Sequence, residues 1–392
     1  MIKRDWDVIV VGGGPAGTVF GRYAAEKGLS VLILEKDREI GLPVRCGEGV
    51  SMRGLEAFTP VNPRWICRKI SAVDFYAPDG TLVELDFKME GAILDRRIFD
   101  RDLADLAAQA GARIYTRANV TDLILDDHFV RGVMVHYRHE DLKLSARLVI
   151  AADGVESRIA RKAGIKTAVT PENMDSCVQV TAHGLNMNPD ALSFYMKREY
   201  APGGYVWVFP KSETSANVGL GISGNFTHKI SPHKSLMKFL ADTFPNASWS
   251  SLVAGGVPTD KTLDRITANG LMVVGDAARM VNPLSGGGIH AAMRAGKLAA
   301  DTAVEALKQN DVSEEFLKRY TKAWHDEAGK NHEGLYRLKE VVNKLTDDDL
   351  DKLGHKMAAI PKEKRSLTRI FKAVAWNKPR LIMDVARAFT GI

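Results

Sequence analysis

The chain has 392 residues, 45% hydrophobic and 26% charged, with a formal net charge of +6. This is the composition of a soluble globular protein with room for two or three domains. No run reaches the roughly 18 apolar residues a membrane-spanning helix needs. The three cysteines, Cys46, Cys67 and Cys177, form neither an even-numbered framework nor a metal-ligand spacing. A reduced, cytoplasmic setting without a bound metal is therefore expected. From Pro361 to Ile392 there are 8 basic and 2 acidic residues, so the rest of the chain is neutral. A neutral body with a basic tail points to an anionic surface, phospholipid or nucleic acid.

The first strand begins within a few residues of Met1, so no signal peptide is expected. It is the apolar run from Asp7 to Val11, followed by Gly12, Gly14, Ala16 and Gly17 in G-x-G-x-x-G spacing. Gly12 allows the turn, Gly14 lets a pyrophosphate approach backbone, and Gly17 lets the following helix pack on the strand. A second strand, Ser30 to Leu34, ends at Glu35, 18 positions past Gly17. The dinucleotide fingerprint expects a ribose-binding acid at roughly 20. An adenine dinucleotide follows.

Next comes a glycine-rich loop from Ile40 to Gly54, holding Cys46, Gly47 and Gly49. Alternating segments between Ile70 and Leu94, split by Pro78-Asp79-Gly80, read as a hairpin. Asp95 opens a helix that carries Arg96 and ends at Gly111. Short strands follow to Ala151, the last running into Asp153-Gly154. From Lys166 to Asp264 strand-like pieces dominate, with one helix from Pro232 to Phe244. A buried strand from Leu271 then ends at Gly275-Asp276, and Gly286–Gly288 opens a helix to Leu307. Beyond Val312 the pattern is helical, with breaks at 347–349 and Pro361.

A carboxylate at a strand's C-terminal end lies where open α/β sheets bind ligands, and it suits ribityl hydroxyls. A helix N-terminus aimed at the same crevice suits a ring that becomes anionic on reduction. Three such strand ends in this order make the expected cofactor FAD rather than NAD. The expected architecture is α/β (α+β overall). A Rossmann-like FAD-binding domain takes residues 1–70, 95–165 and 265–310. A β-rich substrate domain, residues 71–94 and 166–264, is inserted into it, and residues 311–392 form a helical C-terminal region.

The motif order resembles the FAD superfamily of the para-hydroxybenzoate hydroxylase type. Within it, Pro43–Gly49 and Pro202–Pro210 resemble the geranylgeranyl reductases, the second stretch matching P-x-x-Y-x-W-x-F-P at every fixed position. The first is similar to archaeal members that saturate the chains of membrane ether lipids. The resemblance spans roughly residues 5–310. It implies that Gly12, Gly14, Ala16, Gly17 and Glu35 hold the adenosine diphosphate, with Arg96 on the phosphate side and Val120 offering backbone to adenine. It places Cys46, Gly47 and Gly49 beside the isoalloxazine, Asp276 on the ribityl and phosphate groups, and Gly288 and Ile289 near the pyrimidine end.

Tyr205, Trp207 and Phe209 alternate along a strand and share one face, where they can wall an apolar tunnel for a polyprenyl chain. The reaction implied is hydride transfer from reduced flavin to an isolated alkene, with Cys46 as candidate proton donor or, equally, a small residue packed on the flavin. A polyprenyl lipid and an external electron donor (NAD(P)H, ferredoxin or another) are the implied partners. The rival readings are a flavin monooxygenase or halogenase, and a non-catalytic lipid-binding flavoprotein. His290 reads as a satisfied helix-start histidine, and His325, His332 and His355 as helix surface. Cys67 and Cys177 read as buried and small. The segment 365–390 reads as a basic amphipathic helix, either lying peripherally on an anionic membrane or docked on the protein itself. No recognition motif supports nucleic acid.

Overall fold

A computed structural model describes residues 2–374, with backbone only for 87–89. The first strand, β1 (Asp5–Val11), turns through the glycines into α1 (Pro15–Glu26) and returns as β2 (Val31–Leu34). After the Cys46 loop come β3 (Gly49–Ser51), α2 (Met52–Glu56), β4 (Ile66–Tyr76) and β5 (Leu82–Leu94). Asp95 caps α3 (Arg96–Gln109) by accepting from Arg97 N, as its side chain type predicts. Then follow β6 (Arg113–Tyr115), β7 (Ala118–Asp126), β8 (Phe129–Tyr137), β9 (Glu140–Ala151) and the short α4 (Arg158–Lys162).

The β-rich stretch contains β10 (Met174–His183), β11 (Ala191–Tyr195), β12 (Tyr205–Pro210) and β13 (Ser215–Ser223). Next are α5 (Pro232–Thr243) and β14 (Ser248–Pro258). The chain then forms β15 (Thr267–Ala268), β16 (Leu271–Val273) and α6 (Ile289–Lys308). It continues through α7 (Glu314–Trp324), α8 (Lys330–Val342), α9 (Asp347–Ala358) and α10 (Leu367–Val374).

Two eight-stranded sheets result. In the first, β16, β9, β1, β2 and β6 run parallel, with β15 at one edge and β7–β8 added antiparallel to the first half of β9. Its central strands are buried on both faces, which is why they read as unbroken apolar runs. The second sheet has the order β14-β10-β13-β12-β11-β4-β5-β3. It therefore begins at Ile66 rather than 71 and also takes Gly49–Ser51. Strand β14 escapes sequence reading because Ser-Trp-Ser-Ser-Leu-Val-Ala-Gly-Gly lies at the sheet edge, mostly exposed, with no alternation to mark it.

Helix α5 covers one face of the second sheet through Leu236, Phe239 and Leu240. On the other face α9 and α10 cover the β4–β5 end, Met357, Leu367 and Ile370 packing with Val73, Val83 and Phe75. The described start of the basic segment 365–390 is thus docked on the protein itself. Arg365 adds hydrogen bonds to the carbonyls of Ala358 and Ile360. The remainder of that segment, including Trp376, Lys378 and Arg380, lies outside the described residues. Among the described residues no helix is long and apolar enough to cross a membrane. The third packed group, Val19, Leu55, Trp65, Phe99, Ile289 and Met293, lies under the Cys46 loop and ties α1, α3 and α6 together.

Candidate active site

The glycine turn has the geometry its spacing requires. Gly12 has φ of +111°, and a Cβ there would lie 2.2 Å from the Ala152 oxygen. At Gly17 a Cβ would lie 2.1 Å from the Gly12 oxygen, so α1 and β1 are in backbone contact. Gly14 instead opens on free space. It is the N-cap of α1, and no side chain caps it, which leaves first-turn N–H groups beyond Pro15 to an anion. Ala16 is buried where α6 crosses, a Cβ on Gly296 coming within 2.4 Å of the Ala16 oxygen.

Glu35 accepts from Gly13 N at 2.7 Å and from Asp37 N at 2.8 Å, one bond to each carboxylate oxygen. Both oxygens keep capacity for a ribose hydroxyl. Gly13, Gly14, Glu35, Arg45 and Arg96 line a cavity of about 190 Å³. A larger one, about 660 Å³, lies against α3 between Arg38, Ile98, Arg101 and Ile114, and holds none of the expected site residues. Val120 sits on β7, packs on the first core, and lines neither cavity.

At the far end, Asp276 follows β16 and stands beside Gly288, where a Cβ would come within 3.1 Å of its Oδ1. Burial pushes its carboxyl pKa up, against the pull of Arg96. Gly288 is the N-cap of α6, again with no side-chain cap, and Ile289 is the first helical residue. Asp153 accepts from Ile159 N at 2.9 Å through one oxygen, while its other oxygen is buried and unpartnered. An open glycine turn, an oriented acid, an orphaned carboxylate oxygen and two uncapped helix starts fit FAD. His290 is satisfied by the Ser51 carbonyl at 3.1 Å and packs on Gly54.

The Cys46 loop lies on the face of the second sheet opposite α5, the face that α9 and α10 cover at its β4–β5 end. Tyr205, Trp207 and Phe209 share that face, with Phe194 edge-on to Tyr205 and Phe209 at 5.3 and 5.4 Å. Phe75 stacks on Phe194 and extends the aromatic row across two more strands. Phe209 fills the space a side chain at Gly47 would need, a Cβ there falling 2.8 Å from its ring. Gly49 lies a little farther off, at 3.6 Å by the same measure. Tyr205 donates its hydroxyl to the Ser285 carbonyl at 2.5 Å, joining the aromatic row to the turn before α6. Cys46 accepts at Sγ from Glu48 N at 3.2 Å. Burial pushes its thiol pKa up, partly opposed by the positive charge of Arg96.

Residues 173–257 match the Geranylgeranyl reductase catalytic domain family, and residues 10–58 match the NAD(P)-binding Rossmann-like domain family. The chain is 41% identical to the digeranylgeranylglycerophospholipid reductase of Methanosarcina mazei, over 99% of this chain and 97% of that protein. It is 39% identical to the enzyme of the same name from Methanocella arvoryzae, over 98% and 99%. This chain belongs to the geranylgeranyl reductase family. Its fold matches the crystal structure of a geranylgeranyl bacteriochlorophyll reductase-like protein from Thermoplasma acidophilum with a TM-score of 0.91. Those two chains are 36% identical, the match covering 98% of this chain and 100% of the other. A flavin-dependent brominase shares the fold alone, at TM-score 0.71 and 18% identity over 96% of this chain and 99% of that one.

In this reductase-family chain several residues that hold the site together had no role assigned from the sequence. Glu48 is buried and accepts from Arg96 N, Asn217 Nδ2 and Lys211 Nζ, which locks the Cys46 loop to α3 and the second sheet. Gln179 reaches the loop from β10. His332 corrects the helix-surface reading: it is buried, with Nε2 2.8 Å from the Val281 oxygen, because α8 packs beneath the turn before α6. Cys67 and Cys177 are half-buried rather than buried.

Asp175, on the same face of β10, has a buried oxygen without a partner, and burial pushes its carboxyl pKa up to about 6 against the pull of Lys339. The buried Lys339 ammonium instead donates to the Thr259 carbonyl at 2.6 Å and hydroxyl at 2.9 Å. A carboxyl with an ordinary pKa of 3.8 raised to about 6 in the folded chain penalises the native state once ionised. Stability is therefore lost as pH rises through that interval. Relative to wild type, Asp175→Asn is expected to gain stability between pH 4 and pH 7, by up to about 3 kcal/mol. Urea midpoints of both proteins at the two pH values test this, and a pH-independent difference rules it out.

Proposed function

We propose that the chain is an FAD-dependent reductase that saturates the isolated double bonds of geranylgeranyl chains, its substrate being an archaeal-type ether phospholipid. The observation that carries this reading is the packing of the Cys46 loop onto an aromatic row, with Phe209 seated against Gly47. It brings the loop that carries Cys46 onto an apolar wall suited to a prenyl chain. The full-length likeness to proteins named digeranylgeranylglycerophospholipid reductase supports the lipid class.

In this reading the first sheet with α1, α3 and α6 holds the cofactor, and the second sheet holds the lipid chain, with α9 and α10 covering its β4–β5 end. A bound reduced flavin supplies the hydride. Tyr205, Trp207 and Phe209 exclude water and fix the alkene, which offers no carbonyl to polarise, so positioning must supply much of the rate. Cys46, kept protonated by burial, gives its proton to the second alkene carbon, so each double bond gains one hydride and one proton. Gly12, Gly14, Gly17, Glu35 and Arg96 would hold the adenosine diphosphate end, Asp276 the ribityl and phosphate groups, and Gly288 and Ile289 the pyrimidine end. The two electrons come from an external donor, a nicotinamide or a ferredoxin. Peripheral contact with an anionic bilayer through the end of segment 365–390 rests on its basic amphipathic pattern.

Dithionite-reduced holoprotein is expected to add hydrogens in pairs to a digeranylgeranylglyceryl phospholipid, followed by mass spectrometry. No mass gain sinks the reading. So does stoichiometric oxygen uptake with a hydroxylated or halogenated product.

A further inference from the structure

The Cys46 loop has no strand pairing of its own until Gly49, where β3 joins β5. Two carboxamides from the sheet hold it instead. Asn217 on β13 donates to the Gly47 carbonyl at 3.4 Å and to the Glu48 carboxylate at 2.6 Å. Gln179 on β10 donates from Nε2 to the Cys46 carbonyl at 3.0 Å. The same side chain accepts at Oε1 from the Trp207 indole N–H, also at 3.0 Å. An indole nitrogen only donates and a carbonyl oxygen only accepts, so the orientation of this amide is forced by its partners.

The sheet register makes the bridge possible. Gln179, Gly219 and Trp207 stand in one row across β10, β13 and β12. Gly219 contributes no side chain, and a Cβ there would lie 2.4 Å from the Trp207 ring. The indole therefore lies over β13 and meets the carboxamide from the next strand. Gln179 is 6% exposed, so neither bond is exchanged readily for one to water.

We propose that Gln179 is a positioning residue: it ties the backbone of Cys46 to the indole of Trp207, and so sets the depth of the thiol against the substrate wall. This rests on the proposed roles of Cys46 and Trp207. A chain seated on Trp207 is held at a distance from the thiol that one side chain fixes through two hydrogen bonds. Gln179→Glu keeps an acceptor for the indole but removes the donor to the Cys46 carbonyl. Gln179→Asn keeps the amide but is one methylene too short to reach both partners.

The test is the rate at which iodoacetamide alkylates Cys46 in the holoprotein, read site by site by mass spectrometry, beside turnover of the lipid. Both variants are expected to raise the Cys46 rate at least tenfold, with Cys67 and Cys177 unchanged. Trp207→Phe added to Gln179→Glu is expected to give no further increase. With lipid, kcat is expected to fall at least tenfold while KM stays within threefold. A Cys46 alkylation rate within twofold of wild type in both variants overturns the proposal, even if the wild type saturates the lipid. If alkylation rises as expected but wild-type protein reduces no lipid, the positioning role stands and the functional reading falls.

Discussion

Replacing Cys46 by alanine is expected to slow saturation of the lipid by about 10²- to 10⁴-fold, the usual worth of a positioned acid. The reasoning starts from burial. The thiol lies in packed surroundings that push its pKa up, with Arg96 pulling it only partly back. An acid must be protonated to act, so a raised pKa extends its working range to higher pH. Wild-type turnover is therefore expected to hold level through neutral pH and to lose this acid only above the ordinary thiol value of about 8.5. Alanine removes the proton but keeps the small volume beside Gly47, so the loop and the cofactor site should persist. Single-turnover rates of reduced wild type and Cys46→Ala decide the matter, with flavin content measured on the same samples. A variant that keeps a tenth or more of the rate shows that the proton comes from elsewhere.

Removal of Glu48 is expected to cost about 3–5 kcal/mol of stability, the range for breaking one partner of a buried ion pair. Glu48 is 2% exposed and holds its backbone at φ of +70°, a conformation rare outside glycine. Its carboxylate takes the Arg96 N–H at 2.8 Å, the Asn217 amide and the Lys211 ammonium, while its carbonyl accepts from Leu94 N at 3.0 Å. In Glu48→Ala the half-buried Lys211 ammonium is left with the Leu94 carbonyl at 3.2 Å. The double variant Glu48→Ala/Lys211→Met should recover a large part of the loss, because no uncompensated charge remains. Chemical denaturation of the three proteins measures both steps. A loss below about 1 kcal/mol in the single variant would contradict the role assigned to this network.

The two networks differ in what they control. Glu48 fixes the strained turn of the loop, and its loss is felt first as stability. Gln179 fixes where the loop stands relative to the aromatic row, and its loss is felt first as thiol exposure and turnover. Both act on the same seven residues, Pro43–Gly49.

Much of the fold is legible along the chain because its signals are local. The apolar run from Val8 to Val11 is a central parallel strand, and only a strand covered on both faces tolerates such a run. Gly12 and Gly17 sit where any side chain would strike backbone within 2.2 Å, and their spacing announces it. Tyr205, Trp207 and Phe209 alternate, so a shared face follows from strand geometry alone. The glycine turns and the acids at strand ends are one-dimensional patterns that point to FAD, and the reductase reading rests on the resemblance of Pro43–Gly49 and Pro202–Pro210 to a known family.

Tertiary structure decided what these patterns touch. Gln179 and Asn217 lie over 130 residues beyond the loop they hold, on strands whose register was not written in any spacing. Glu48 had no role assigned from its place in the Pro43–Gly49 stretch, yet it is the buried acceptor for Arg96 of α3, Asn217 of β13 and Lys211. His332 read as helix surface because the three late histidines lack a metal-ligand spacing, and it is buried because α8 packs beneath the turn that precedes α6. A buried polar group needs a partner, and the partner can come from anywhere in the chain. Local sequence therefore determined where backbone must turn, cross or alternate, and the packing of distant strands determined which polar groups position the thiol.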